Sequence, residues 1–162
     1  MITLYLDMDG VLADFNKEYT KFDPQKEDRK KFREAVIQHQ IFMKLDFMPD
    51  TQELLNHVSR LQGVNVEILT SMGTHDPFQA ESAKQQKLVW LAKMNIPYKA
   101  NFVNDKQGKA KYATPRSILI DDSVGCISPF NEAGGHGILH TNASNTNRIL
   151  DSVLLQLRSL DA

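Results

Sequence analysis

Cysteine is almost missing from this chain: 162 residues contain only Cys126. A lone thiol forms no intramolecular disulfide and cannot build a thiolate zinc site, and such usage fits a reducing cytoplasm. Excess charge is missing too. The formal net charge is −1, so no global basic field exists to hold nucleic acid or an anionic membrane surface. Long hydrophobic runs are absent, the longest reaching about five or six residues, far short of a bilayer span. There are no repeats, low-complexity tracts or Gly/Ser linkers, and no charged leader precedes the first apolar run. A soluble cytoplasmic domain is the expectation, with no membrane partner and none expected among nucleic acids. The length suits one domain that buries roughly 70% of its unfolded surface.

What is present is alternation. Strand-like runs occur at 2–6, 64–69, 117–120 and 137–140, with a weaker one at 100–103. Helical periodicity fills the intervals 50–62, 78–94 and 144–158, the first opening on Asp50-Thr51 as an N-cap and closing at Gly63. This pattern predicts an α/β fold: βαβ units forming a mostly parallel sheet with helices on both faces. Residues 15–48 break the rhythm, being rich in Lys, Glu and Phe with one helix at about 27–39. They read as a small cap inserted between the first strand and the first core helix, leaving 1–14 and 49–162 as the core. An ordinary long connection is the alternative.

Chemistry gathers at the predicted strand tips. The run Ile2-Thr3-Leu4-Tyr5-Leu6 ends in Asp7-Met8-Asp9-Gly10. The C-terminal ends of strands are where open α/β sheets place ligands. Two desolvated carboxylates there repel unless a cation or a shared proton intervenes. Thr70 and Ser71 follow the second core run, and Asp121-Asp122 follow the fourth; between lies the lysine-dense turn 105–111. Together these make a kit for phosphoryl transfer, in which an aspartate attacks phosphorus. A Mg2+ ion held by the acids screens like charges, while Thr70 and a lysine bind phosphoryl oxygens. Plain turns, helix caps and solvated lysines are the ordinary readings of each motif taken singly.

At these residues the chain resembles the haloacid dehalogenase-like (HAD) phosphohydrolases, whose first motif is Asp-x-Asp-Gly, followed by a Thr or Ser, a lysine and an acidic pair. It is most similar to the 5'(3')-deoxyribonucleotidase branch, whose first motif looks like residues 7–15. The resemblance implies a HAD-like Rossmannoid core with a small helical cap. It implies Asp7 as nucleophile, forming an aspartyl-phosphate, and Asp9 as general acid, then base. It further implies Mg2+ held by Asp7, the Asp9 carbonyl and Asp122, with Asp121 in support. Lys109 and Lys111 rank level for the lysine role, with Lys106 third. The implied substrate is a nucleoside monophosphate, held at its phosphate by Asp9, Thr70 and Ser71 and at its base by Phe15 or Phe42. Packing of these two rings between cap and core is the alternative. Another small phosphomonoester, a nucleic-acid end phosphate, or a non-catalytic metal-retaining module are the runners-up, and a homodimer stays open. Elsewhere, Trp90 and Cys126 read as core, Gly134-Gly135 as a left-handed helix end, and His57, His75, His136 and His140 as surface or loop residues.

Overall fold

In the computed structural model, which describes residues 1–161, five strands form one sheet with every neighbouring pair parallel. They are β1 (Ile2–Leu6), β2 (Val64–Ser71), β3 (Lys99–Val103), β4 (Ser117–Asp121) and β5 (His136–Leu139). Their order is β3-β2-β1-β4-β5. The chain winds outward one way from β1 through β2 to β3, then returns to the other side of β1 for β4 and β5. The reversal creates a crevice at the C-terminal ends of β1 and β4.

Side chains alternate across the sheet, as the pleat requires. Leu4, Leu6, Ile68, Ile118 and Ile120 join the larger core with α3 (Thr51–Ser59), α4 (Pro77–Lys93) and α6 (Ala143–Ser159). Leu69 and Leu119 face the other way and pack on Cys126, Ile127 and Phe130 of α5 (Val124–Glu132). This is the expected α/β Rossmannoid core. The expected left-handed turn is present at Gly134, with φ +97°. No helix among the described residues is long and apolar enough to cross a membrane.

Residues 15–48 contain only short helical pieces. The first, α1 (Phe15–Tyr19), is capped by Asp14, whose carboxylate accepts from the Lys17 amide at 3.2 Å. The expected helix at 27–39 is α2 (Asp28–Arg33) continued by a π-helical turn, Glu34–Gln38. A 3-10 turn, Ile41–Met43, follows. Side chains of α4 join this segment to the sheet layer. Gln86 Nε2 donates to the Val36 carbonyl at 2.8 Å, its Oε1 accepts from the Phe42 amide at 3.2 Å, and Trp90 Nε1 donates to the Leu45 carbonyl at 2.7 Å.

Three expectations need correction. β2 pairs with β3 as far as Ser71, so Thr70 and Ser71 are strand residues rather than the start of a loop. Asp50 makes no side-chain bond to its own helix; its carboxylate accepts from the Ala143 amide at the start of α6, 2.5 Å away. His140 is buried, bonding Thr146 Oγ1 through Nδ1 at 2.7 Å, because α6 folds back over the end of β5.

Candidate functional site

Register assembles the acids. Leu6 lies opposite Ile120 of β4, and the Asp7 amide donates to the Ile120 carbonyl at 3.0 Å. The next step along each strand therefore brings Asp7 beside Asp121, both buried. Oxygens of Asp7, Asp121 and the exposed Asp122 lie within 4.8 Å of one another. Gly10, at φ +87°, lets the chain turn beneath Asp122: a Cβ there would sit 2.1 Å from Asp122 Oδ2. Only glycine fits that position.

Lys109 reaches into this group from the 3-10 helix Lys106–Tyr112. Its Nζ donates to Asp7 Oδ1 at 2.8 Å and to Asp121 Oδ2 at 2.6 Å, with the side chain almost wholly buried. Burial alone would lower the lysine, but Asp7 and Asp121 reverse that and hold its ammonium above the usual value. Lys111 is exposed and takes no part in the cavity wall. With three residues per turn, positions 109 and 111 point away from each other, and of the two it is Lys109 that contacts the acids. Lys106 is exposed on the cavity rim.

Desolvation pushes the Asp7 carboxyl well up, Lys109 opposing and Asp121 and Asp9 adding. Asp122 is raised by partial desolvation first and by the charge of Asp121 second. Both Asp121 oxygens are engaged, Oδ2 by Lys109 and Oδ1 by the Ser123 amide at 3.0 Å. The Cys126 thiol, in the same wall, is pushed up to about 12 by burial and stays protonated near neutrality.

A second buried lysine was invisible to the motif reading. Lys87 of α4 donates to Asp9 Oδ2 at 3.0 Å, Thr70 Oγ1 at 2.6 Å and the Ser71 carbonyl at 2.8 Å. The sequence signal was its helical spacing. Ala80, Ala83, Lys87, Trp90 and Leu91 are buried on one face of α4, so a lysine sits within an apolar stripe. Val89, on the same helix, is exposed.

One carboxylate oxygen from each of Asp7, Asp121 and Asp122 lies within 4.8 Å of the others. Three hard oxygen donors gathered in this way fit one divalent ion of the Mg2+ or Ca2+ type. Asp7, Asp121 and Asp122 could hold it.

These groups floor a cavity of about 610 Å3, a size that suits a small organic ligand. Asp7, Asp9, Lys109, Asp121 and Asp122 line its polar end; Phe15, Phe32, Phe42 and Met48 line an apolar wall. Phe15 stacks on Phe42 with centroids 5.5 Å apart. Ser71 lines the cavity, but Thr70 lies wholly buried behind it. At the mouth, His75 Nε2 and Asp105 Oδ2 are 2.8 Å apart and Asn104 Nδ2 donates to the Thr74 carbonyl at 3.0 Å, tying the loops after β2 and β3 together.

No family model matches the chain, and no curated protein does. Solved structures do. One is a hydrolase from Streptococcus pneumoniae TIGR4, 17% identical, with a TM-score of 0.59 over 92% of this chain and 97% of that one. Another is D,D-heptose 1,7-bisphosphate phosphatase from Burkholderia thailandensis, 14% identical, with a TM-score of 0.50 over 90% of this chain and 83% of that one. At these identities the likeness is one of fold.

Proposed function

We propose that this chain is a HAD-type phosphomonoesterase that works through an aspartyl-phosphate on Asp7. The observation that carries the reading is Lys109 bridging Asp7 and Asp121, with Asp122 alongside, at the sheet's switch point. An unreactive structural ion pair would not need two further acids, Asp9 and Asp122, at the floor of an open cavity.

In the proposed reaction the phosphoryl group enters the polar end with its leaving oxygen toward Asp9. A carboxylate oxygen of Asp7 attacks phosphorus as the bond to the leaving oxygen breaks. That oxygen takes the proton of Asp9. Asp9 then removes a proton from water, whose oxygen attacks phosphorus and releases Asp7 and inorganic phosphate. Lys109 keeps Asp7 oriented and offsets its charge, so an anionic substrate is not repelled. Mg2+, held by Asp7, Asp121 and Asp122, supplies screening of the phosphoryl oxygens when bound.

For the substrate the reading is a nucleoside monophosphate. Residues 15–48 serve as a small cap, and its Phe15, Phe32 and Phe42 line an apolar wall of the cavity. A nucleobase would bury apolar ring surface against such a wall. Ser71 lines the cavity and Thr70 does not, which supports Ser71 as the hydroxyl nearer the ligand.

The test is hydrolysis of p-nitrophenyl phosphate with Mg2+ by wild type and Asp7→Asn, followed by a panel of nucleoside monophosphates and sugar phosphates. Turnover abolished by EDTA and by Asp7→Asn, with nucleotides preferred, is expected. An inactive wild type would overturn the phosphatase reading. Preference for sugar phosphates would overturn the nucleotide assignment alone.

A further inference from the structure

We propose that Lys87 is a positioning residue for the proton-transfer step: it locks Asp9 to Thr70 and reserves the other Asp9 oxygen for substrate. The inference rests on the phosphomonoesterase reading and adds a residue that reading does not require.

Lys87 is completely buried and absent from the cavity wall, so it does not touch the ligand. An ammonium has three donors, and all three are engaged, on Asp9 Oδ2, Thr70 Oγ1 and the Ser71 carbonyl. Its Nζ also lies 4.6 Å from the Phe42 ring centroid, so an aromatic face covers its remaining side. A buried lysine costs several kcal/mol unless it is paired in this way.

The consequence falls on Asp9. Its Oδ2 accepts from Lys87, which fixes the orientation of the carboxyl group relative to Thr70. Asp9 Oδ1 is buried and has no hydrogen-bond partner among the described residues, although Asp9 lines the cavity. An orphaned acceptor of this kind is costly unless function uses it. As the P–O bond to the leaving group breaks, its electron pair stays on the leaving oxygen, which takes the proton of Asp9. Asp9 is left as a carboxylate, paired with Lys87.

The experiment compares two esters with wild type, Lys87→Met and Lys87→Arg. p-Nitrophenol leaves without protonation; the alkoxide of glycerol 2-phosphate does not. Lys87→Met should lose ~10²-fold or more in kcat/KM on glycerol 2-phosphate, the usual size of a general-acid contribution, since this ratio reports the steps through expulsion of the leaving group. It should lose less than about tenfold in kcat/KM on the aryl ester. Lys87→Arg, which keeps the charge, should recover part of the selective loss. In an Asp9→Asn background, Lys87→Met should cost less than about threefold more, since residues acting as a unit are not additive.

Equal losses on both esters, or none, would overturn the proposal while leaving the phosphatase reading in place. A wild type that hydrolyses neither ester would take both down. If circular dichroism shows Lys87→Met unfolded, the Lys87→Arg comparison decides: a uniform loss on the two esters overturns the proposal, a selective one supports it.

Discussion

Lys109 Nζ lies 2.6 Å from Asp121 Oδ2, and both side chains are all but closed to solvent. The pair joins the turn after β3 to the tip of β4, and Asp7 completes it from β1. Removing the cation would leave two buried carboxylates facing each other without compensation. Lys109→Met is expected to lose ~10²-fold or more in phosphatase turnover, the scale of a lost electrostatic stabiliser. Lys111→Ala should stay within about twofold of wild type, because an exposed lysine makes little difference. Steady-state rates of the two variants check this; a larger loss in Lys111→Ala would reverse the assignment.

Gly10 gives a second prediction. Its positive φ and the 2.1 Å overlap between an added Cβ and Asp122 Oδ2 act together. Gly10→Ala should destabilise by about 1–3 kcal/mol through backbone strain and should displace Asp122. Mg2+ raises the melting temperature of a protein that binds it only when folded. That rise should be present in wild type and shrink by at least half in Gly10→Ala. Thermal melts with and without Mg2+ measure it, and an undiminished rise would show that Asp122 is dispensable for the cation.

Acid should weaken the fold at His140. Burial holds its imidazole below the usual histidine value, with Asp50 partly opposing. The neutral ring is thus favoured in the folded state, and the unfolded chain takes up the proton first. The stabilisation is complete above the unfolded value of about 6.5 and is lost as pH falls through the folded one. Between pH 7.5 and 5.5 the wild-type melting temperature should fall by about 2–4 °C more than that of His140→Asn. Parallel slopes would remove His140 from the account.

The layers of the fold were legible because strands and helices here carry different apolar periods, and alternation of the two leaves few topologies. Asp7, Asp9, Asp121 and Asp122 were legible because acids at the ends of apolar runs are costly to place without a purpose. The two buried lysines were harder. Lys109 could not be told from Lys111 until the turn carrying them was known to be 3-10. Lys87 sits on a helix beside Lys84 and Lys93, and a reading that scores lysine as polar assigns it to solvent. Its partners, Asp9 and Thr70, stand 78 and 17 residues away in the chain, so nothing local announces the contact.

The joint between α4 and residues 15–48 has its own consequence. Gln86 and Trp90 bond the carbonyls of Val36 and Leu45 and the amide of Phe42, groups that every residue but proline carries in full. Docking at those points is indifferent to side-chain identity. A change of side chain at Phe15 or Phe32 would leave all three bonds in place.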